Sequence, residues 1–168
     1  MLLSILGRIH RLCLLDRNTL FAEGNNIGVS AASRDSTLVL LLNSDVEIKD
    51  PYWLQRLVDA HRRGATSLGY VAEPISRADG YCLLVDRDLY ERLRLDEQHQ
   101  WWWGVTRFQA ALLNEGHSVQ AVRDHDHLLV HFGGKSGSGF TGAAGMDVTL
   151  SEVRGWFAGR SVDVIERL

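Results

Sequence analysis

The sequence predicts an α/β fold, a mostly parallel sheet flanked by helices, from three observations. Five consecutive apolar residues, Leu38 to Leu42, are typical of a strand buried on both faces of a parallel sheet. Asp50-Pro51 then combines an acidic helix cap with a proline at the first helical position. Strand and helix patterns alternate from there to residue 131, which is the order of an α/β domain.

The segments around this central strand follow from periodicity and turn residues. Apolar positions at helical spacing predict a helix within residues 1–15, with a short strand over 12–15. Residues 23–28 form a predicted turn, since Gly and Asn tolerate positive φ, and lead into a small-residue helix over 29–33. The helix opened by Pro51 has its apolar positions at Trp53, Leu54, Leu57 and Val58.

The second half continues the alternation. The patterns predict strands over 67–72, 81–85, 118–122 and 128–131, and helices over 88–93 and 105–113. Residues 133–139 have the composition of a flexible loop. Thr149 and Glu152 have capping-box spacing and predict a C-terminal helix. We therefore expect a core over 1–135 and a Gly-rich linker with a helical tail over 136–168.

Composition narrows the functional classes. A chain of 168 residues suffices for one domain, and a net charge of −3 argues against a nucleic-acid-binding surface. No apolar run has the length of a membrane span. Cys13 and Cys82 are both flanked by leucine, which favours two buried free thiols over a disulfide.

The order of the motifs resembles the inverting family 2 glycosyltransferases, which have the GT-A fold. An Asn-x-Gly segment precedes a small-residue helix, an apolar strand follows, and an Asn-x-Asp-Val-Glu-x-x-x-Pro-x-Trp-Leu segment ends that strand. Further similar segments extend the resemblance over residues 10–137. The matching residues are Asn26, Gly28, Asn43, Asp45, Pro51, Trp53 and Leu54, then Asp79 to Val85, Arg87, Asp96-Glu97 and His131 to Ser136.

The resemblance implies transfer of a sugar from a nucleotide-sugar donor to an acceptor hydroxyl, with inversion. A divalent cation, Mg²⁺ or Mn²⁺, would neutralise the diphosphate leaving group. Asp45 would be its carboxylate ligand and His131 would complete the site. The implied donor-binding residues are Asn26, Gly28, Asn43 and Ser44.

Two departures from the family pattern bear on activity. The family's first two strands have no counterpart here. The general-base carboxylate expected about a dozen residues before Gly116 is also missing, since Gly104 and Val105 stand at that position. Three carboxylates are candidate substitutes for the base: Asp96, Glu97 and Asp79.

Two aromatic or histidine-rich segments leave alternatives open. Trp101-Trp102-Trp103 cannot all face one core, so at least one ring should be exposed, as an acceptor-sugar platform or as a packing surface. His125, His127 and His131 suggest a zinc site, but a polar loop explains the same pattern. Lys135 and Ser136 suit a phosphate contact or a solvated linker.

The sequence therefore supports a leading function and a rival. The first is a cytoplasmic glycosyltransferase in polysaccharide or glycan synthesis, with a nucleotide-sugar donor and a hydroxyl acceptor as partners and neither nucleic acid nor a membrane span. The rival is a truncated or degenerate transferase-like module for binding or assembly. The Trp-rich segment and an unpaired sheet edge are the predicted surfaces for an oligomer.

Overall fold

The computed structural model describes residues 9–133 and 145–168. It confirms a mixed α/β architecture, in which a central sheet has helices on it. The helices are α1 (Leu20–Ala31), α2 (Trp53–Ala60), α3 (Arg87–Leu93), α4 (Trp101–Asn114) and α5 (Leu150–Phe157). The strands are β1 (Leu38–Leu42), β2 (Val46–Ile48), β3 (Gly64–Ser67), β4 (Tyr70–Val71), β5 (Arg77–Ala78), β6 (Cys82–Asp86), β7 (Ser118–Asp124), β8 (Leu129–His131) and β9 (Asp163–Arg167).

Five strands form the central sheet, in the order β1-β6-β3-β7-β9. The pairs β3–β7 and β7–β9 are parallel, whereas β6 pairs antiparallel with both β1 and β3. Four strands thus run in one direction and β6 alone runs in the other. Two short ribbons, β2–β8 and β4–β5, complete the strand pairing.

The strand β6 lies at the centre of the core and separates two apolar clusters. Its side chains alternate, so that Leu83 and Val85 join one cluster while Cys82 and Leu84 join the other. Helices α1, α3, α4 and α5 contribute to the first cluster, and α2 with the segment leading into β8 contributes to the second. Burial raises the pKa of the Cys82 thiol to about 12.

The strand over 38–42 is present, but the prediction that it is buried on both faces is wrong. Only Val39 and Leu41 are buried, and Leu42 is 41% exposed. The reason is its position: β1 pairs only with β6 among the described residues, so it is an edge strand. An apolar run of this kind does not reveal whether a second neighbour is present.

The region before β1 differs most from the sequence-based prediction. The expected turn over 23–28 is instead part of the continuous helix α1. Residues 12–15 form no strand, and Cys13 is exposed rather than buried. The predicted N-terminal helix extends into residues 1–8, which lie outside the described part, and residues 9–15 are not helical. Packing of Ala22 and Val29 into the core outweighs the turn tendency of the Gly and Asn residues in this segment.

The strand predicted over 67–72 is wrong as a single strand, because β3 ends at Ser67 and only Tyr70–Val71 of that range form a further strand, in a separate ribbon. The remaining helix and strand predictions hold with shifted ends. The helix predicted to open at Pro51 begins at Trp53, and it buries Trp53 and Leu57 but leaves Leu54 and Val58 partly exposed. The predicted C-terminal helix is α5, with both halves of the Thr149–Glu152 capping box formed. The tail is not helical throughout, because β9 follows and pairs with β7. Most of the predicted linker, residues 134–144, lies outside the described residues.

Candidate functional site

The edge of the sheet where β1 ends brings the predicted metal-binding segment next to the start of β6. Leu42 is paired with Cys82, and the backbone N–H of Asn43 donates to the carbonyl of Tyr81 at 2.8 Å. Because β6 is antiparallel to β1, the residues just before β6 and just after β1 lie side by side. Asp79 and Gly80, which precede Tyr81, therefore belong to the same edge as Asp45.

Asp45 and His131, the two residues predicted to hold a metal, lie in contact. The ribbon β2–β8 pairs Val46 with His131, and the N–H of Phe132 donates to the carbonyl of Asp45 at 2.9 Å. This register places Asp45 Oδ1 3.3 Å from His131 Nε2. Asn43 Nδ2 lies 3.4 Å from the same nitrogen. We refer to Asp45 and His131 as the carboxylate–imidazole pair.

Tyr81 fixes the position of the imidazole. Its ring stacks on the His131 ring, with centroids 4.3 Å apart and planes inclined by 10°. The Tyr81 hydroxyl donates to the carbonyl of Leu68 at 2.6 Å, and burial raises the Tyr81 pKa far above its usual range. The phenol is therefore neutral at physiological pH and holds His131 from one side. The sequence analysis missed this role.

The carboxylate–imidazole pair satisfies the distance requirement for a shared cation. Two adjacent ligands about 2.1 Å from one octahedral Mg²⁺ lie about 3 Å apart, close to the 3.3 Å between Asp45 Oδ1 and His131 Nε2. Carboxylate oxygen suits a hard cation and imidazole nitrogen suits Mn²⁺ better than Mg²⁺. No group of three or more His, Cys, Asp or Glu side chains forms a metal site within the described residues. The pair by itself would leave the other coordination positions of such a cation open.

Of the three candidate bases, Asp79 is the one at this edge. Its Oδ1 accepts from the backbone N–H of Gly80 at 2.7 Å, and its own N–H donates to the carbonyl of Gly69 at 2.8 Å. A Cβ placed on Gly80 would lie 2.6 Å from Val105 Cγ2. The first turns of α4 thus pack directly against the Asp79 turn, and Val105 is one of the two residues at which the family pattern lacks its base.

Asp96 and Glu97 lie in the loop between α3 and α4 and are engaged there. Asp96 Oδ2 lies 3.0 Å from His99 Nδ1 and 3.1 Å from Arg107 Nη1. Burial acts to raise the pKa of Asp96, but the hydrogen bond from the Gln98 N–H and the two basic neighbours outweigh burial, and the pKa lies below its usual value. Such a carboxylate is a poor proton acceptor at neutral pH. Glu97 Oε1 accepts from Asn26 Nδ2 at 2.9 Å.

The predicted donor residues divide into two groups. Asn43 contacts His131, and Ser44 is exposed in the turn between Asn43 and Asp45. Asn26 is instead 2% exposed inside α1, where it hydrogen-bonds Tyr90, Leu95 and Glu97. Gly28 lies on the outer side of the same helix. Within the described residues no hydrogen bond links either residue of α1 to the carboxylate–imidazole pair.

The three tryptophans form the first turn of α4, with one ring exposed as expected. Trp102 is 38% exposed. Trp103 meets Trp156 of α5 edge-on at 6.4 Å, and the Arg77 guanidinium lies 5.9 Å from the Trp103 ring centroid. Arg77 is two residues before Asp79, so this aromatic turn adjoins the candidate base.

In the part of the chain that the structure describes, the other histidines do not gather into a zinc site. His125 Nδ1 faces the carbonyls of Val122 and Arg123, at 3.3 and 3.2 Å, and His127 Nε2 faces the carbonyl of Leu168 at 3.1 Å. These are contacts of a polar loop, which is the simpler of the two explanations. Lys135 and Ser136 lie outside the described residues.

Comparisons with protein-family models, curated proteins and solved structures found no match to this chain. Within residues 9–133 and 145–168, every helix is too short or too polar to traverse a lipid bilayer. Any assignment of function therefore rests on the sequence motifs and on the geometry of the site.

Proposed function

We propose that this protein is a metal-assisted, inverting glycosyltransferase that moves a sugar from a nucleotide-sugar donor to an acceptor hydroxyl. The observation that supports it most directly is the carboxylate–imidazole pair, whose 3.3 Å separation suits two ligands of one divalent cation. Its position just beyond a sheet edge is where open α/β folds commonly bind ligands.

The roles proposed for the residues follow from their positions. Asp45 and His131 would hold Mg²⁺ or Mn²⁺, and Asn43 and Ser44 would line the donor side. The cation, when bound, would offset the charge that develops on the diphosphate leaving group. Tyr81 keeps the imidazole oriented for this task.

Asp79 is the proposed general base. It would accept the proton of the acceptor hydroxyl while that oxygen bonds to the anomeric carbon and the bond to the diphosphate breaks. Attack from the face opposite the leaving group inverts the configuration. Support comes from the shared edge with Asp45 and from the contact of the Asp79 turn with α4.

The alternative is a non-catalytic module for binding or assembly, and one observation favours it. Asp79 already accepts from the Gly80 N–H, and the carboxylates of Asp96 and Glu97 are engaged elsewhere. In this case His131 and Asp45 would form an ordinary ion pair.

Calorimetric titration with uridine, thymidine and guanosine diphosphates, with and without Mn²⁺, tests the proposal. We expect one nucleotide to bind only with Mn²⁺, and we expect Asp45→Ala to abolish that binding. Asp59→Ala on α2, which removes a carboxylate exposed on the protein surface, is the matched control. Equal binding by the Asp45→Ala variant would show that the metal assignment is wrong. Absence of binding by the folded protein would favour the non-catalytic alternative.

A further inference from the structure

A cavity of about 820 Å³ opens at the other end of strands β1 and β6, away from the carboxylate–imidazole pair. It lies where β1 begins and β6 ends, since Leu38 pairs with Asp86 and the N–H of Arg87 donates to the carbonyl of Thr37 at 2.9 Å. Helix α1 forms one wall and α3 another. None of the residues assigned to the metal or the base lines it, so the proposed transferase does not explain it.

Four arginines and three carboxylates line this cavity, and the carboxylates are already paired. Arg87, which is 6% exposed, bonds Glu91 at 2.8 Å and also donates to the carbonyls of Ser33 and Val29. Arg63 pairs with both remaining carboxylates, those of Asp86 and Asp88. In these pairs two guanidinium charges face three carboxylates, and the two further arginines bring the net charge of the lining to +1.

The two remaining cations are Arg34 and Arg94, which reach the rim from different elements. Arg34 belongs to the loop after α1, and Arg94 ends α3 with φ at +49°, a conformation in which non-glycine residues are strained. Neither guanidinium forms an ion pair or hydrogen bond with another residue in the described parts of the chain. The hydroxyls of Ser36 and Thr37 also line the cavity without a described partner.

We propose that this cavity binds a phosphorylated small molecule, with Arg34 and Arg94 holding the phosphate. Guanidinium groups donate paired hydrogen bonds in a fork that matches phosphate oxygens, and the two hydroxyls supply neutral donors. The buried part of the wall offers apolar surface at Val29 and the ring of Tyr90, next to the polar side chains of Asn26 and Arg87. The volume is in the range of sites for whole small molecules and far exceeds one phosphate ion, so an organic group occupies the rest.

Titration of the 168-residue chain by NMR with inorganic phosphate and with phenyl phosphate, at constant ionic strength and without metal, tests this proposal. We expect saturable shifts at the amides of Ser36, Arg87 and Arg94, with phenyl phosphate binding more tightly. Arg34→Gln and Arg94→Gln should each weaken binding about tenfold, as expected for loss of one charge-assisted contact.

Arg154→Gln on α5 removes a charge from a residue that does not line the cavity, and it should bind like the parent. Asp45→Ala should also bind like the parent, which separates this site from the proposed metal site. Equal binding by the parent, Arg34→Gln and Arg94→Gln would overturn the proposal. The proposal would also be overturned if neither inorganic phosphate nor phenyl phosphate bound saturably. Unfolding midpoints equal to the parent's, measured without phosphate, establish that the variants are folded.

Discussion

Asp79 and Glu97 are two carboxylates with the same chemistry and different surroundings. Asp79 lies at the sheet edge with Asp45, whereas Glu97 accepts a hydrogen bond from Asn26 in α1. A general base must reach the acceptor hydroxyl before its pKa matters. From the sequence both residues are equal candidates for the general base, and their positions in the fold distinguish them.

Asp79→Asn should abolish sugar transfer while leaving Mn²⁺-dependent nucleotide affinity within about twofold. The amide oxygen still accepts from the Gly80 N–H, but it cannot take a proton, and loss of a general base costs about 10²–10⁴ in rate. Release of nucleoside diphosphate from the donor measures the rate. Glu97→Gln is the matched control and should retain it. A fully active Asp79→Asn variant would exclude Asp79 as the base.

Asn26 and Gly28 should respond oppositely to alanine. Asn26→Ala removes three buried hydrogen bonds and one partly buried one and leaves the Tyr90 hydroxyl without its acceptor, which should cost about 2–4 kcal/mol of unfolding free energy. Gly28 has open space around its missing Cβ, so Gly28→Ala should stabilise α1 by about 0.5–1 kcal/mol. Urea unfolding measures both. Destabilisation by Gly28→Ala would indicate that the position is not helical.

The sequence could predict Asp45 and His131 but not their surroundings. A carboxylate after an apolar strand and a histidine at the end of another are local signals. The stacking of Tyr81 on His131 depends both on the pairing of β6 with β1 and on the pairing of β8 with β2, and each joins residues far apart in the sequence. The placement of Asp79 at the same edge of the sheet as Asp45 depends on the pairing of β6 with β1, which is why three base candidates remained open.

Among the single elements, α1 and α4 show which helices a local sequence pattern can predict and which it cannot. Apolar spacing over 105–113 predicts the body of α4 but misses its first four residues, where the helix begins at Trp101. In α1 the Gly and Asn residues produce a pattern typical of a turn, and the segment is helical because it packs against α3 and the sheet. The sequence does not predict the strand β9, because only two of its positions, Val164 and Ile165, are half-buried and they show no apolar alternation.

Two neighbouring rings in the first turn of α4 should have different roles, Trp103 in stability and Trp102 in sugar binding. Trp103→Ala should lower the unfolding free energy by about 2 kcal/mol, because its half-buried ring packs on Trp156 and under Arg77. Trp102→Ala should cost less than about 1 kcal/mol, as expected for a ring near the surface, and should weaken oligosaccharide binding. Chemical denaturation and titration with N-acetylglucosamine oligomers measure the two effects. Unchanged oligosaccharide binding would leave packing as the explanation.

For the molecule as a whole, Asp96 contributes to resistance against acid. Its pKa is lowered in the folded state, so its stabilisation is complete above the unfolded-state pKa of about 3.9 and is lost as the pH falls through the lower folded value. Asp96→Asn should therefore lose about 1 kcal/mol or less at pH 7, because the site is partly exposed, and progressively less as the pH falls below the unfolded-state pKa. Denaturant unfolding across this range measures the difference. A gap that stayed constant down to pH 2 would contradict the assignment.

The arrangement of the whole sheet gives the two cysteines very different chemical access. Cys13 is exposed, while Cys82 is fully buried at the start of β6 and has a raised pKa. A thiol reagent at neutral pH should alkylate Cys13 at once and Cys82 only when β6 separates from β1 and β3. The slow second modification thus reads out the opening rate of the central strand, and the native chain carries its own reporter for whether nucleotide or phosphate tightens the sheet.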